Sequence, residues 1–122
     1  MSVKTAGFAS PAQGYETAAI DLNTLLIHNP PATYLFRLET EEMAALGLPK
    51  GTILIVDRSQ RPQLNQKAII LHEGEFLCRL LTEHNGKRVF SNNMTNIIPI
   101  PNETQIIGVV TAYIVECSHA PL

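Results

Sequence analysis

Short runs of alternating or unbroken apolar residues recur at positions 33–38, 53–56, 67–72, 76–81, 88–91 and 104–116, several of them parted by turn-forming pairs. Tyr34, Phe36 and Leu38 alternate with more polar neighbours, which is the period of a strand with one buried face. Lys50-Gly51 turns the chain into a further strand at Ile53-Leu54-Ile55-Val56. Glu73-Gly74 and Asn85-Gly86 are two-residue turn signals between neighbouring strands. Strands at this spacing predict an antiparallel, sandwich-like or barrel-like all-β domain. Gly108 interrupts the last and longest segment, where a bulge or bend would let one strand serve two sheets.

A chain of 122 residues, 45% hydrophobic and 16% charged, has enough apolar side chain for one core and no length for a second. Residues 1–19 are rich in Ala, Gly, Ser and Pro without either period, and are expected to form an extended N-terminal arm; residues 20–122 form the domain proper. Asp21 can cap a short helix through Asn23, Leu25 and Ile27, which Pro30 and Pro31 must end. Thr40 resembles an N-cap, Glu41 and Glu42 suit a first turn, and Gly47-Leu48-Pro49 closes it, giving one or two helical turns between strands.

Nine Lys and Arg against eleven Asp and Glu give a net charge of −2, and the basic residues are scattered. Direct sequence-specific DNA binding is therefore disfavoured. No cationic leader precedes an apolar stretch and no apolar run approaches the roughly 18 residues of a membrane span, so a cytoplasmic location and no membrane contact are expected. The two cysteines, Cys78 and Cys117, lie in apolar segments. Each reads as a buried thiol, with a disulfide as the open alternative.

The residues Gly7-Phe8-Ala9-Ser10-Pro11-Ala12, Ile20-Asp21-Leu22-Asn23, Leu25-Leu26-Ile27, Ala32-Thr33-Tyr34, Leu54-Ile55-Val56-Asp57, Gly74-Glu75-Phe76 and Gly108-Val109-Val110 occur in that order. In this series the chain resembles the UmuD branch of the LexA-type self-cleaving serine peptidases. The resemblance implies a LexA/UmuD C-terminal-domain-like fold: curved antiparallel sheets, one or two short helices and an extended arm. It also implies a homodimer of the SOS DNA-damage response that joins an error-prone translesion DNA polymerase once the arm has been removed. The arm is cut before the glycine of a small residue-Gly-Phe sequence, which falls here at Ala6-Gly7. Only six residues precede that point, so a natural start at Met1 would make the chain one born already processed.

Self-cleavage in that family needs a serine within Gly-Asp-Ser-Met and a neutral lysine on a neighbouring strand. A serine oxygen attacks only when a base takes its proton, and lysine is a base only where burial lowers its pKa. This chain reads Thr40-Glu41-Glu42-Met43 at the motif, with Glu42 in the serine position. Counting from Gly74-Glu75-Phe76 puts Arg79 in the lysine position, and a guanidinium stays protonated in proteins. No catalytic residue is therefore assigned, although family membership alone would suggest an active self-cleaving serine peptidase. Glu42 and Arg79 either face one another as an ion pair or point separately to solvent, where such a pair contributes roughly 0–1 kcal/mol. Ser10, Ser59 and Ser91 sit in arm-like or loop-like surroundings that supply no motif.

The expected role is that of a catalytically inactive accessory or regulatory subunit, dimeric, binding an error-prone polymerase or a UmuD/LexA relative. The resemblance places the dimer interface on the C-terminal strands, which makes Ile106, Ile107, Val109 and Val110 the candidate contacts; alternatively they fill the core of the single chain. A third role is regulation of repression, as the C-terminal half of a LexA-like repressor, which with no helix-turn-helix before the domain would regulate only by pairing with another chain. No cofactor is implied: the seven glycines occur singly and form no phosphate loop. Nor is a metal site, because the four histidines are dispersed and Glu41, Glu42, Asp57 and Glu75 read as solvated carboxylates.

Overall fold

The computed structural model describes residues 20–93, 96–100 and 105–117. The expected arm, with Ala6 and Gly7, lies outside them. Helix α1 (Leu22–Leu26) opens the described chain, and Asp21 caps it by accepting from the backbone N–H groups of Asn23 and Thr24 at 3.0 and 3.5 Å. Pro30–Ala32 then form one 3-10 turn that leads into β1 (Thr33–Arg37). Six more strands follow: β2 (Ile53–Asp57), β3 (Lys67–His72), β4 (Glu75–His84), β5 (Lys87–Ser91), β6 (Ile97–Pro99) and β7 (Gln105–Ile114).

These strands form a mostly antiparallel all-β fold built on one open seven-stranded sheet of order β1-β2-β7-β3-β4-β5-β6. Both anticipated hairpin turns are present. Glu73 and Gly74 have φ of 51° and 83°, Asn85 and Gly86 have 54° and 79°, and each pair alone connects its two strands. Two central residues with positive φ match the right-handed twist of flanking strands, which is why Gly stands second in both turns.

The last strand does not divide itself between two sheets. It lies inside a single one, hydrogen-bonded to β2 on one side and β3 on the other, and so joins the two halves. Its register slips on both sides. Opposite β2, Ala112 pairs with Ile55 and Val110 with Val56, leaving Thr111 extra; opposite β3, Gly108 pairs with Ile69 and Ile106 with Ile70, leaving Ile107 extra. Such bulges bend a strand and raise its local twist.

Two apolar clusters fill the interior. One comprises Met43, Leu48, Leu54, Val56, Ile69 and Cys78, with Phe36, Ile107 and Val110 packed against it; the other comprises Ala68, Ile70, Leu81, Phe90 and Ile98, with Leu77 and Ile106 against it. Successive residues of β3 go to different clusters, as the two-residue period of a strand dictates, so a continuously apolar run serves both faces. Among the described residues no helix is long and apolar enough to cross a membrane.

The helix expected around residues 40–47 is smaller than the sequence suggested. It is a bend followed by one 3-10 turn, Ala44–Leu46, ended by Gly47 at φ 84°. Thr40 does not cap that turn; its Oγ1 accepts from the N–H of Glu42 at 3.3 Å instead. Two side chains pin the segment: Met43 is 1% exposed and Leu48 fully buried.

Candidate functional site

The buried Met43 places its neighbour Glu42 at the mouth of a cleft of about 300 Å³ whose lining includes Phe36, Leu38, Phe76, Leu77, Cys78 and Arg79. Strand β4 supplies the opposite wall. Glu42 is further fixed by the carboxylate next to it, since Glu41 Oε1 accepts from the Lys50 N–H at 3.1 Å and closes the loop onto its own exit.

Arg79 extends from β4, where it pairs with Ala68 of β3, and its side chain is 4% exposed. A guanidinium so deeply placed must have its donors engaged, and each nitrogen has an acceptor. Nη2 donates to Glu42 Oε1 at 2.6 Å, Nε to Asn96 Oδ1 at 2.7 Å and Nη1 to the Cys78 carbonyl at 2.8 Å. The two residues that the sequence left either paired or apart are therefore a close ion pair across the cleft. It is asymmetric, because the Glu42 side chain is 45% exposed.

Asn96 is the partner that sequence reasoning missed. It belongs to a loop held shut by its own ends: the Asn96 N–H donates to Asn92 Oδ1 at 3.1 Å and the Asn92 N–H to the Asn96 carbonyl at 3.2 Å. Nothing local in the sequence aligns a loop amide with an arginine 17 positions earlier.

Among the described residues the cleft lining contains neither serine nor lysine. Ser59 Oγ donates to Asp57 Oδ1 at 2.6 Å, and Ser91 Oγ accepts from the Asn93 N–H at 2.8 Å. The Ser59 hydroxyl and N–H both donate to Asp57, and Gln60 adds a third bond, holding that carboxyl below its usual range against the opposing effect of burial. This makes a structural turn at the end of β2.

Two other side chains in the lining carry a hydroxyl or thiol: Thr40, whose Oγ1 accepts from the Glu42 N–H at 3.3 Å, and Cys78. Burial pushes the Cys78 thiol up to about 12, with the charges of Arg79 and Lys67 opposing only part of that rise. Burial thus disfavours the thiolate, the form in which a cysteine attacks. Cys117, in contrast, is exposed; both thiols are free. Alkylation with iodoacetamide at pH 8 should label Cys117 within minutes and leave Cys78 unmodified until the chain unfolds, as peptide mass mapping would register. Equal labelling of both in the folded protein would show that the Cys78 site is open.

Glu42 and Arg79 thus engage each other in the cleft, and similarity to known proteins gives the family of the chain. A profile of the Peptidase S24-like family matches residues 1–111. The chain belongs to that family. It is 35% identical over 109 residues to protein SamA of Salmonella typhimurium, an alignment covering 89% of this chain and 78% of SamA. Protein ImpA of Escherichia coli is 35% identical over 108 residues, 87% of this chain and 74% of ImpA. Protein MucA of Escherichia coli is 30% identical over 116 residues, 92% and 80% respectively. These relatives make the chain a UmuD-like member of the S24 family.

Of the four β7 residues, Val109 is 2% exposed within this single chain. Ile106, Ile107 and Val110 are half-buried and pack against one cluster or the other. Glu41, Glu42, Asp57 and Glu75 do not gather: among the described residues no three His, Cys, Asp or Glu come together as metal ligands.

Proposed function

We propose that this chain is a non-catalytic, dimeric accessory subunit in SOS mutagenesis, which works in the cytoplasm by binding an error-prone translesion polymerase or a UmuD relative. The observation that carries the reading is the Glu42–Arg79 pair at 2.6 Å, standing where the family's resemblance puts nucleophile and base. A protonated guanidinium accepts no proton, and a carboxylate bound to it has no hydroxyl to activate. Similarity to SamA, ImpA and MucA supports the mutagenesis role. Half-buried Ile106, Ile107 and Val110 on β7 are the proposed dimer contacts.

Two measurements test the reading together. Affinity capture of the tagged chain from DNA-damaged cells should retain a translesion polymerase or a UmuD relative. Incubation at alkaline pH, alone and with a full-length relative whose own nucleophile has been replaced, should leave both chains intact by mass. Cleavage at Ala6-Gly7 or in the relative's arm would instead establish an active peptidase.

A further inference from the structure

The seven-stranded sheet has β1 at one edge and β6 at the other. An edge strand offers unpaired N–H and C=O groups to any chain that reaches it, and is ordinarily blunted by shortness, proline, a bulge or charge. Strand β6 is blunted twice, having three residues and ending in Pro99. Strand β1 is not: Thr33–Arg37 pairs with β2 over all five residues without a slip in register, contains no proline, and bears one charge, at its last residue. That charge is turned to the chain's own Gly51 carbonyl at 3.0 Å and Glu116 at 3.4 Å.

Two hydrogen bonds fix which groups of β1 face outward. The Arg58 N–H donates to the Ala32 carbonyl and the Leu38 N–H to the Thr52 carbonyl, each at 2.9 Å, and both pairs continue the β1–β2 register. Hydrogen-bonded and non-hydrogen-bonded pairs alternate along an antiparallel ladder, so Tyr34 and Phe36 bond to β2 while Thr33, Leu35 and Arg37 direct their backbone groups away from it. The Thr33 N–H closes the preceding turn onto the Pro30 carbonyl, which leaves the Thr33 carbonyl and both groups of Leu35 and Arg37. Among the described residues no strand takes them up.

We infer that β1 pairs edge to edge with β1 of a second copy of this chain, antiparallel about a two-fold axis at Leu35. A slip of one residue would set outward groups against inward ones, and a slip of two would leave one outward residue unopposed. With Leu35 opposite the partner's Leu35, these two exchange N–H···O=C bonds and each Arg37 N–H donates to the other chain's Thr33 carbonyl. The side chains agree. Leu35 is 63% exposed and heads an apolar row with Ile55 and Ala112 across the sheet, which the pairing continues into the second copy. On the opposite face Tyr34 meets the partner's Phe36, twice over, and opposed aromatic residues are favourable cross-strand pairs. A second copy is the occupant because the same strand supplies both halves: leucine meets leucine, and the lone cation meets threonine instead of another cation. Five residues a side, against roughly 20–30 in a standard interface, make the contact a weak one. It is separate from the β7 contacts proposed above and does not depend on the non-catalytic reading.

Cysteine coupling reads this register, in chains carrying Cys117→Ser to remove the exposed thiol. Opposed residues of a hydrogen-bonded pair have Cα atoms about 5.5 Å apart, within disulfide range. Leu35→Cys should therefore couple to itself on mild oxidation, and Thr33→Cys should couple to Arg37→Cys in an equimolar mixture. Thr33→Cys alone, four residues out of register and so displaced by about 13 Å, should give at least about tenfold less covalent dimer on non-reducing gels. Leu35→Pro removes an outward N–H and no bond to β2, so adding it to both chains of the mixture should cut coupling at least about tenfold. Leu35→Lys, which leaves the backbone unaltered, replaces it should proline disturb β1. Failure of Leu35→Cys to couple, equal coupling by Thr33→Cys alone, or undiminished coupling in both Leu35 variants overturns the inference and leaves the proposed function standing. Cleavage at Ala6-Gly7 would overturn the proposed function and leave this pairing intact.

Discussion

Arg79→Ala is expected to lower the free energy of unfolding by about 3–5 kcal/mol, the range for truncating a large buried side chain. The substitution opens a cavity in the wall of the cleft and leaves the Asn96 Oδ1 and Cys78 carbonyl without the donors now at 2.7 and 2.8 Å. Glu42→Ala should cost less, about 1–3 kcal/mol, because water can reach the freed Nη2 through the space that a half-exposed side chain vacates. Arg79→Met, which keeps the stem volume and removes the charge, should recover much of the loss, since apolar groups of similar size can replace buried ionic ones at little cost. Urea denaturation of the three variants with unchanged slopes would measure the order. A loss below about 1 kcal/mol for Arg79→Ala would mean that the guanidinium is not part of what holds the fold together.

The same residue shows where sequence reading stops. Features set by one or two neighbouring residues were legible: the Asp21 cap, the Glu73-Gly74 and Asn85-Gly86 turns, and the αL closure at Gly47 all follow from local backbone chemistry. Glu42 and Arg79 were each placed at the site by family motif and count, but their pairing is a through-space fact, and Asn96 carries no signal at all. Strand β6 escaped because three residues ending at Pro99 are too few to show a period. On β7 the alternation that would sort contact from core residues is reset at Ile107 and again at Thr111, which is why Val109 could not be told from its neighbours. The expected division into two sheets failed for a related reason: an interrupted apolar strand looks the same whether it leaves a sheet or bends within one.

Gly108→Ala is expected to destabilise the chain by about 2–3 kcal/mol, toward the upper part of the range for overpacking. A Cβ there would lie 2.7 Å from the Asp57 carbonyl oxygen, 2.9 Å from Val56 Cγ1 and 3.0 Å from the Arg58 Cα. Two of those three atoms are backbone, so relief requires β2 to move away from β7 at the join between the two halves of the sheet. The restriction is one of space. Gly86 presents the opposite case, with φ 79° and open surroundings, so its requirement is conformational. Asparagine tolerates the left-handed region but fills space, which gives a discriminating pair: Gly86→Asn should cost well under about 1 kcal/mol, whereas Gly108→Asn should be at least as damaging as Gly108→Ala. If β2 and β7 part, the bulge that leaves Thr111 extra between them also shifts, and the molar mass of Gly108→Ala in solution should fall toward the monomer if the dimer uses β7. Matching stabilities for Gly108→Asn and the unaltered chain would show that the two strands are not in close contact at this point.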